Sequence, residues 1–235
     1  MGQVLLVRHA QASFGAEDYD QLSATGREQA RLLGEWLARG RRGFDAAVTG
    51  TLRRHHETAR ICLSQVPVAL RPAGDPRADS GFDEYDSDEV VLCHRPEFAD
   101  SAALRRHVQA SDNPRRTFQG LFAAAMTRWM CGRFDAEYRE PWQAFGARCV
   151  AALQRITGDT TPSRRVVVFT SGGPIAAICQ HLLGLDPKRT LDVNTVLVNC
   201  ATTGLLYQPE RVSLSHLNNY AHLEQAGDPK MVTYR

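Results

Sequence analysis

The segment RRVVVFTSGGPIAAICQHLLG, residues 164–184, is the part of the chain that most restricts the possible folds. A short apolar run ends in Thr170 and Ser171, two glycines follow, and a helical pattern begins at once. Such a run predicts a buried strand that turns directly into a helix, the repeating unit of α/β proteins. Free N–H groups at the start of that helix are suited to bind an anion. Ser171 is therefore open to four interpretations: a nucleophile, a phosphate contact, a substitute for another catalytic residue, or a helix cap.

Strand and helix patterns alternate along most of the chain. Besides the unit at 164–184, the patterns predict strands over 3–7, 44–50, 68–72, 190–199, 202–208 and 211–219, and helices over 23–40 and 51–65. This alternation predicts a three-layer α/β/α sandwich with a mostly parallel central sheet.

The alternation breaks between about residues 93 and 138, where the pattern is helical. We therefore expect a single domain over 1–235 that carries a helical insert. Residues 95–139 contain eight arginines, no lysine and five acidic residues. An insert of this charge beside a site would favour anionic ligands, although the same charges also suit a solvated helical surface.

Composition argues against several classes of protein. The net charge is +2 and the arginines are scattered rather than striped, so we expect no nucleic-acid partner. No apolar run approaches the roughly 20 residues of a membrane span, and the N-terminus lacks signal-peptide features. We therefore expect a cytoplasmic protein without a membrane partner. The six cysteines form no Cys-x-x-Cys pair, so neither a metal nor another cofactor is expected. The sequence leaves the oligomeric state open.

Polar residues follow the predicted strands at the positions where α/β proteins bind ligands, beyond the carboxyl ends of the strands. They are Arg8 and His9, then Arg53, Arg54, His55 and His56, then an acidic run from Asp83 to Glu89, and last Ser171, Gly172 and Gly173. Arginines bind phosphate oxygens in bidentate fashion. A neutral histidine can attack phosphorus, and a carboxylic acid can protonate the leaving oxygen. This set of residue types favours phosphoryl chemistry.

Five segments, in order, resemble the histidine phosphatase superfamily, the phosphoglycerate mutase-like proteins. LLVRHAQASFG resembles the Arg-His-Gly signature, with Ala10 at the glycine position, and VTGTLRRHHETA resembles the Ser-Pro-Leu-x-Arg-Ala-x-x-Thr-Ala block. The other three are YDQLSATGREQARLLGEWL, NTVLVNCATTGLLY and LNNYAHL, which resemble the first helix, the closing strands and the tail. The resemblance covers most of the chain outside the insert.

The resemblance implies a role for individual residues. His9 matches the nucleophile that becomes phosphohistidine, and Arg8 and Arg54 match the two phosphate-binding arginines. Glu84 matches the general acid, with Asp83 and Asp86 as close rivals.

The remaining histidines near these motifs have no catalytic counterpart in the family. His55 and His56 match no catalytic position, so we expect them to pack or to lie on the surface. His222 matches a tail histidine with a structural role.

Two positions depart from the family pattern. Ser171 occupies the place of the second pocket histidine, and Gly15 stands where related sequences often have an asparagine that touches phosphate. We expect Ser171 and Gly172 to contact phosphate, but a hydroxyl cannot supply the charge of an imidazolium. The resemblance therefore predicts a slow phosphomonoesterase, unless a neighbour such as His55 or an arginine of the insert compensates.

Other functions remain open at this stage. A pseudoenzyme would use Arg8 and Arg54 to bind phosphate or a phosphopeptide without turnover. A phosphoglycerate mutase is disfavoured because the insert has no paired arginines before a tyrosine and a proline-rich run, the segment that the resemblance requires for that branch. A serine hydrolase that uses Ser171 is disfavoured because Phe169 stands where a nucleophile elbow needs glycine. For the phosphatase, the expected substrate is a small phosphorylated metabolite or a phosphopeptide.

Overall fold

The computed structural model describes residues 1–13, 20–41, 43–98, 100–158 and 164–234. Six strands lie within these ranges: β1 (Gly2–Arg8), β2 (Ala46–Thr49), β3 (Arg77–Ala78), β4 (Arg165–Thr170), β5 (Thr202–Gln208) and β6 (Arg211–Asn219). The α-helices in the same ranges are α1 (Ala24–Arg39), α2 (Arg53–Gln65), α3 (Ser87–His94), α4 (Ser101–Gln109), α5 (Pro114–Met130), α6 (Trp142–Thr157), α7 (Gly172–Leu183), α8 (Pro187–Val196) and α9 (Ala221–Glu224).

The strands form one sheet in the order β3-β2-β4-β1-β5-β6. The pairs β1–β4, β2–β4 and β2–β3 are parallel, whereas β5 runs antiparallel to both of its neighbours. Arg8 at the end of β1 therefore lies opposite Thr170 at the end of β4, and Thr49 of β2 lies opposite Phe169. This register brings the carboxyl ends of three strands to one edge of the sheet.

Alternate residues of the central strands enter two separate hydrophobic cores. Leu5 and Val7 of β1 pack in a core with α1 and α2, whereas Val4 and Leu6 pack in a core with α5, α6 and α7. Because neighbouring strand residues point to opposite faces, the sheet is covered by helices on both sides. Burial of each such side chain contributes about 1.5–3 kcal/mol. The predicted three-layer sandwich with a mostly parallel sheet is confirmed.

Two predicted strands are wrong. Residues 68–72 contain a 3-10 turn, Val68–Leu70, and the edge strand is β3 further along the chain. Val68 is 78% exposed, so this apolar stretch has no inward face to bury in a sheet.

The second is the strand predicted over residues 190–199, where α8 extends to Val196. The Asp186 side chain accepts a hydrogen bond from the Arg189 N–H, and Pro187 occupies the first helical turn. These helix-start signals outweigh the β-branched residues that suggested a strand.

Helices α4 and α5 lie in the segment predicted as an insert, and α5 is anchored to the rest of the protein by aromatic rings. The ring of Trp129 on α5 lies 4.9 Å from that of Tyr85 and 5.6 Å from that of Phe145 on α6. Tyr85 directly follows Glu84, so this cluster restricts the backbone beside a predicted site residue. None of the helices in the described ranges combines the length and apolarity needed to cross a membrane.

Candidate active site

His9 follows β1 at the shared edge of the sheet and is buried, with 6% of the residue exposed. Its Nδ1 lies 2.8 Å from the carbonyl oxygen of Ala10. Because a carbonyl oxygen can only accept, Nδ1 carries the hydrogen and Nε2 keeps its lone pair. Burial, followed by the charges of Arg54, Arg8 and His55, lowers the pKa of His9 well below its usual value. The ring is thus held neutral in the tautomer that a nucleophile at Nε2 requires.

Arg8, the last residue of β1, is partly buried and held by backbone carbonyls from the C-terminal part of the chain. Its Nη1 donates to the carbonyl of Leu197, and its Nη2 donates to the carbonyl of Tyr234 over 2.9 Å. A Cβ built at Gly172 would lie 3.6 Å from the Arg8 Nε, so the start of α7 faces this guanidinium. The same Cβ would lie 2.7 Å from Oδ1 of Asn194 on α8, so a side chain at residue 172 would have to displace the Asn194 amide.

Arg54 lies in the first turn of α2 and is 7% exposed, whereas its neighbour Arg53 is exposed. Nη1 of Arg54 donates to Oδ1 of Asp20 over 2.7 Å. The carboxylate of Asp20 also accepts the backbone N–H of Arg53 at the start of α2. Asp20 therefore fixes both the start of the helix and the guanidinium that the helix carries.

Glu84 is the carboxylic acid that faces the start of α7. Its Oε2 accepts the backbone N–H of Gly173 over 3.2 Å. Burial raises the pKa of Glu84, and the positive charges of Arg54 and Arg8 and the hydrogen bond from Gly173 oppose that rise. A raised pKa lets a carboxyl group keep the proton that it must give to a leaving oxygen.

The two rivals of Glu84 have other partners. The carboxylate of Asp83 accepts hydrogen bonds from the backbone N–H and the hydroxyl of Thr51. Asp86 caps α3, and its carboxylate pairs with exposed Arg139. Asp86 is thus tied to a helix start and to a surface ion pair.

Ser171 joins β4 to α7 and is fully buried. Its backbone is extended, with φ −116°, and its side chain makes no capping hydrogen bond to α7. The hydroxyl instead lies 2.7 Å from Nε2 of His55. Of the four interpretations of Ser171, the helix cap is therefore wrong.

His55 is the site residue to which the sequence assigned no catalytic position. It is fully buried on the first turn of α2, and its ring centroid lies 5.8 Å from that of His9. Nδ1 of His55 lies 3.8 Å from Oδ1 of Asp83. Burial, followed by the charges of Arg54 and His56, lowers the pKa of His55 well below its usual value. The signal in the sequence was the coincidence of a lost histidine at Ser171 with a gained one beside Arg54.

The other positions singled out in the sequence lie elsewhere. His56 is exposed, with its Nδ1 3.4 Å from the hydroxyl of Thr49. His222 is buried, and its ring lies 5.8 Å from that of Trp36. Gly15 lies outside the described residues.

The arrangement combines a buried neutral histidine, two arginines, a helix start and a partly buried carboxyl at one sheet edge. A model of the histidine phosphatase superfamily (branch 1) matches residues 4–220, which is most of the chain. The chain belongs to the histidine phosphatase superfamily. Membership in this superfamily supports a phosphatase-type enzyme.

Several solved structures share the fold of this chain at low sequence identity. A mutant phosphoserine phosphatase from Entamoeba histolytica, in complex with phosphoserine, is 16% identical over 95% of this chain and 100% of that chain, with a TM-score of 0.62. Phosphoglycerate mutase from Bacillus anthracis is 14% identical over 97% of both chains, with a TM-score of 0.66. Mycobacterial glucosyl-3-phosphoglycerate phosphatase is 22% identical over 93% of this chain and 99% of that chain, with a TM-score of 0.56. At these identities the likeness establishes a phosphoglycerate mutase-like fold.

Proposed function

We propose that this histidine phosphatase superfamily member is a phosphomonoesterase that works through a phosphohistidine on His9. The observation that carries the proposal is the hydrogen bond from Nδ1 of His9 to the Ala10 carbonyl, which leaves Nε2 as the nucleophilic atom. Arg8, Arg54 and the backbone at Gly172 supply the positive field for a phosphoryl group.

In the first step, Nε2 of His9 attacks phosphorus and the bond between phosphorus and the ester oxygen breaks. Glu84 gives its proton to the leaving oxygen, which departs as an alcohol. The products are a phosphohistidine and the Glu84 carboxylate.

In the second step, a water molecule attacks the phosphohistidine from the space that the alcohol vacated. The Glu84 carboxylate takes a proton from this water, the bond between nitrogen and phosphorus breaks, and phosphate leaves. His9 and Glu84 return to their starting protonation states. During both steps, Arg8 and Arg54 stabilise the charge on the phosphoryl oxygens.

We propose a small phosphorylated metabolite or a phosphopeptide as the substrate. Support comes from two of the similar proteins, which are described as phosphatases of phosphoserine and of glucosyl-3-phosphoglycerate. With Ser171 at the position of the family histidine, the sequence predicts slow turnover for this class of substrate, unless a neighbour such as His55 or an arginine of the insert compensates.

A second candidate is a hydrolase in which Ser171 is the nucleophile. The Ser171 hydroxyl lies 2.7 Å from Nε2 of His55, and Nδ1 of His55 lies 3.8 Å from Oδ1 of Asp83. This succession has the order of a Ser-His-Asp triad. We rank it below the phosphatase because Ser171 is fully buried and has an extended backbone, whereas a nucleophile elbow exposes its serine on a strained turn.

Brief reaction with a ³²P-labelled aryl phosphate, followed by a quench, tests the proposal. We expect label that is stable in base, labile in acid and absent from His9→Ala. Labelling of Ser171 by a fluorophosphonate, with activity lost in Ser171→Ala, would identify the second candidate instead. Phosphate binding without any turnover would show a pseudoenzyme that only binds its ligand.

A further inference from the structure

We propose that His55 supplies the second imidazole of the phosphate pocket, in place of the histidine that the family carries at position 171, and that it acts through the Ser171 hydroxyl. For its effect on turnover this inference rests on the proposed function, but its effect on phosphate binding does not. His55 is thus a positioning residue that controls the direction of one hydrogen bond.

The fold brings the two residues together although they are far apart in the chain. Strands β2 and β4 are neighbours, so the start of α2 lies beside the end of β4. A Cβ built at Gly50 would lie 2.2 Å from Nδ1 of His55. The ring can therefore turn into the site only because residue 50 is glycine. Nε2 of His55 lies 2.7 Å from the Ser171 hydroxyl, so the ring makes a direct polar contact with the residue at the family histidine position.

The protonation state of His55 determines what the Ser171 hydroxyl can do. When neutral His55 carries its hydrogen on Nδ1, facing Asp83, its Nε2 accepts the hydrogen of Ser171, and that hydrogen is not available to a phosphoryl group. When His55 is protonated, Nε2 donates to the hydroxyl oxygen, and the hydroxyl hydrogen can turn toward a phosphoryl oxygen. The pair then delivers a hydrogen bond backed by a positive charge.

Charges around the ring set the balance between these two states. The titratable and charged groups that face His55 are Arg54 and His56 on its own helix, His9 across the pocket, and Asp83 beyond Nδ1. Burial and the nearby cations favour neutral His55, and a bound phosphate dianion would reverse that balance. Since binding of the anion and of the proton must favour each other, phosphate binding should take up a proton at His55.

Four variants test the inference on turnover, with 4-nitrophenyl phosphate and the rate of His9 phosphorylation in a single turnover as the readout. His55→Ala should slow this rate by about 10²–10³-fold, the usual effect of losing an electrostatic donor. His55→Gln, which can still bond Ser171 but cannot take a proton, should remain slow. The control His107→Ala, an exposed histidine on α4, should stay within about twofold of the parent. The double variant His55→Ala/Ser171→His, which moves the imidazole to the family position, should recover most of the lost rate.

The inference also predicts that phosphate binding takes up a proton, which can be tested without turnover. The measurement is calorimetric titration of inorganic phosphate in buffers of different ionisation enthalpy. The parent should take up more protons per phosphate than His55→Gln does. Equal proton uptake in these two proteins, or a parent-like phosphorylation rate in a folded His55→Gln, would overturn the inference. A parent that binds phosphate with His55-dependent proton uptake but never turns over would instead overturn the proposed function and leave the role of His55 standing.

Discussion

The Glu84 carboxylate rests directly against the backbone of Gly173: Oε2 accepts its N–H over 3.2 Å, and a Cβ at that position would lie 2.0 Å from Oε1. The proposed acid can therefore contact the first turn of α7 this closely only because residue 173 is glycine. Any side chain at residue 173 must displace either the carboxyl group or the neighbouring Tyr85 ring, which would lie 2.8 Å from the same Cβ.

Gly173→Ala should therefore impair leaving-group protonation. We expect a larger fall in kcat for an alkyl phosphate, whose leaving oxygen needs a proton, than for 4-nitrophenyl phosphate, whose leaving group needs it less. The matched control is Gly146→Ala on α6, where a Cβ meets nothing within 4 Å and should cost no activity. Equal falls for both substrates would argue that Glu84 is not the acid.

The dependence of kcat/KM on pH should be bell-shaped. His9 must be neutral to attack, so activity should rise as pH increases through its lowered pKa. Glu84 must be protonated to donate, so activity should fall as pH increases through its raised pKa. With 4-nitrophenyl phosphate as substrate, Glu84→Gln should keep the acid limb and lose the part of the alkaline limb that Glu84 causes. An unchanged alkaline limb in that variant would assign it to another group, such as His55.

Arg54 should matter for phosphate binding far more than its neighbour Arg53. Removal of one charge-assisted contact costs about 1.5–3 kcal/mol of binding free energy, or roughly 10–150-fold in Kd. Titration of inorganic phosphate into Arg54→Ala and into the control Arg53→Ala should show this difference. Comparable affinities in the two variants would mean that Arg54 does not bind the phosphoryl group.

Two buried neutral histidines should make the fold sensitive to acid. The pKa values of His9 and His55 lie well below 6.5 in the folded chain, so the unfolded chain binds more protons as pH falls below about 6.5. Their contribution to stability is present above that pH and is lost progressively toward the folded pKa values.

Urea unfolding of the parent and of His55→Gln across this pH range provides the measurement for that loss. The variant should lose less of its free energy of unfolding on acidification than the parent does, because one buried histidine is gone. His56→Gln, which changes an exposed histidine, should lose as much as the parent. If His55→Gln and the parent lost equal amounts, His55 would not titrate as inferred.

Local signals in the sequence determined most of the secondary structure and the family. The apolar run before Ser171 and the Arg8-His9 pair at the end of β1 are each encoded by a few adjacent residues. Hydrophobic periodicity, capping residues and short motifs predict the structure of such stretches, because the interactions involved lie within one turn or one strand. For the same reason, the strand predicted over residues 190–199 is wrong: the β-branched residues are only a local signal, and the helix start at Asp186 and Pro187 prevails.

Only the tertiary structure decided how the candidate site is completed. The order of the strands placed His55 against Ser171, 116 positions away in the chain, and it placed Glu84 rather than Asp83 or Asp86 against α7. Neither contact could be predicted from a repeating pattern in the sequence, since a single buried histidine or carboxylate produces no such pattern. The sequence by itself determined which chemical groups lie at the sheet edge, and packing determined which of them touch, because contacts between distant segments depend on the whole arrangement of strands and helices.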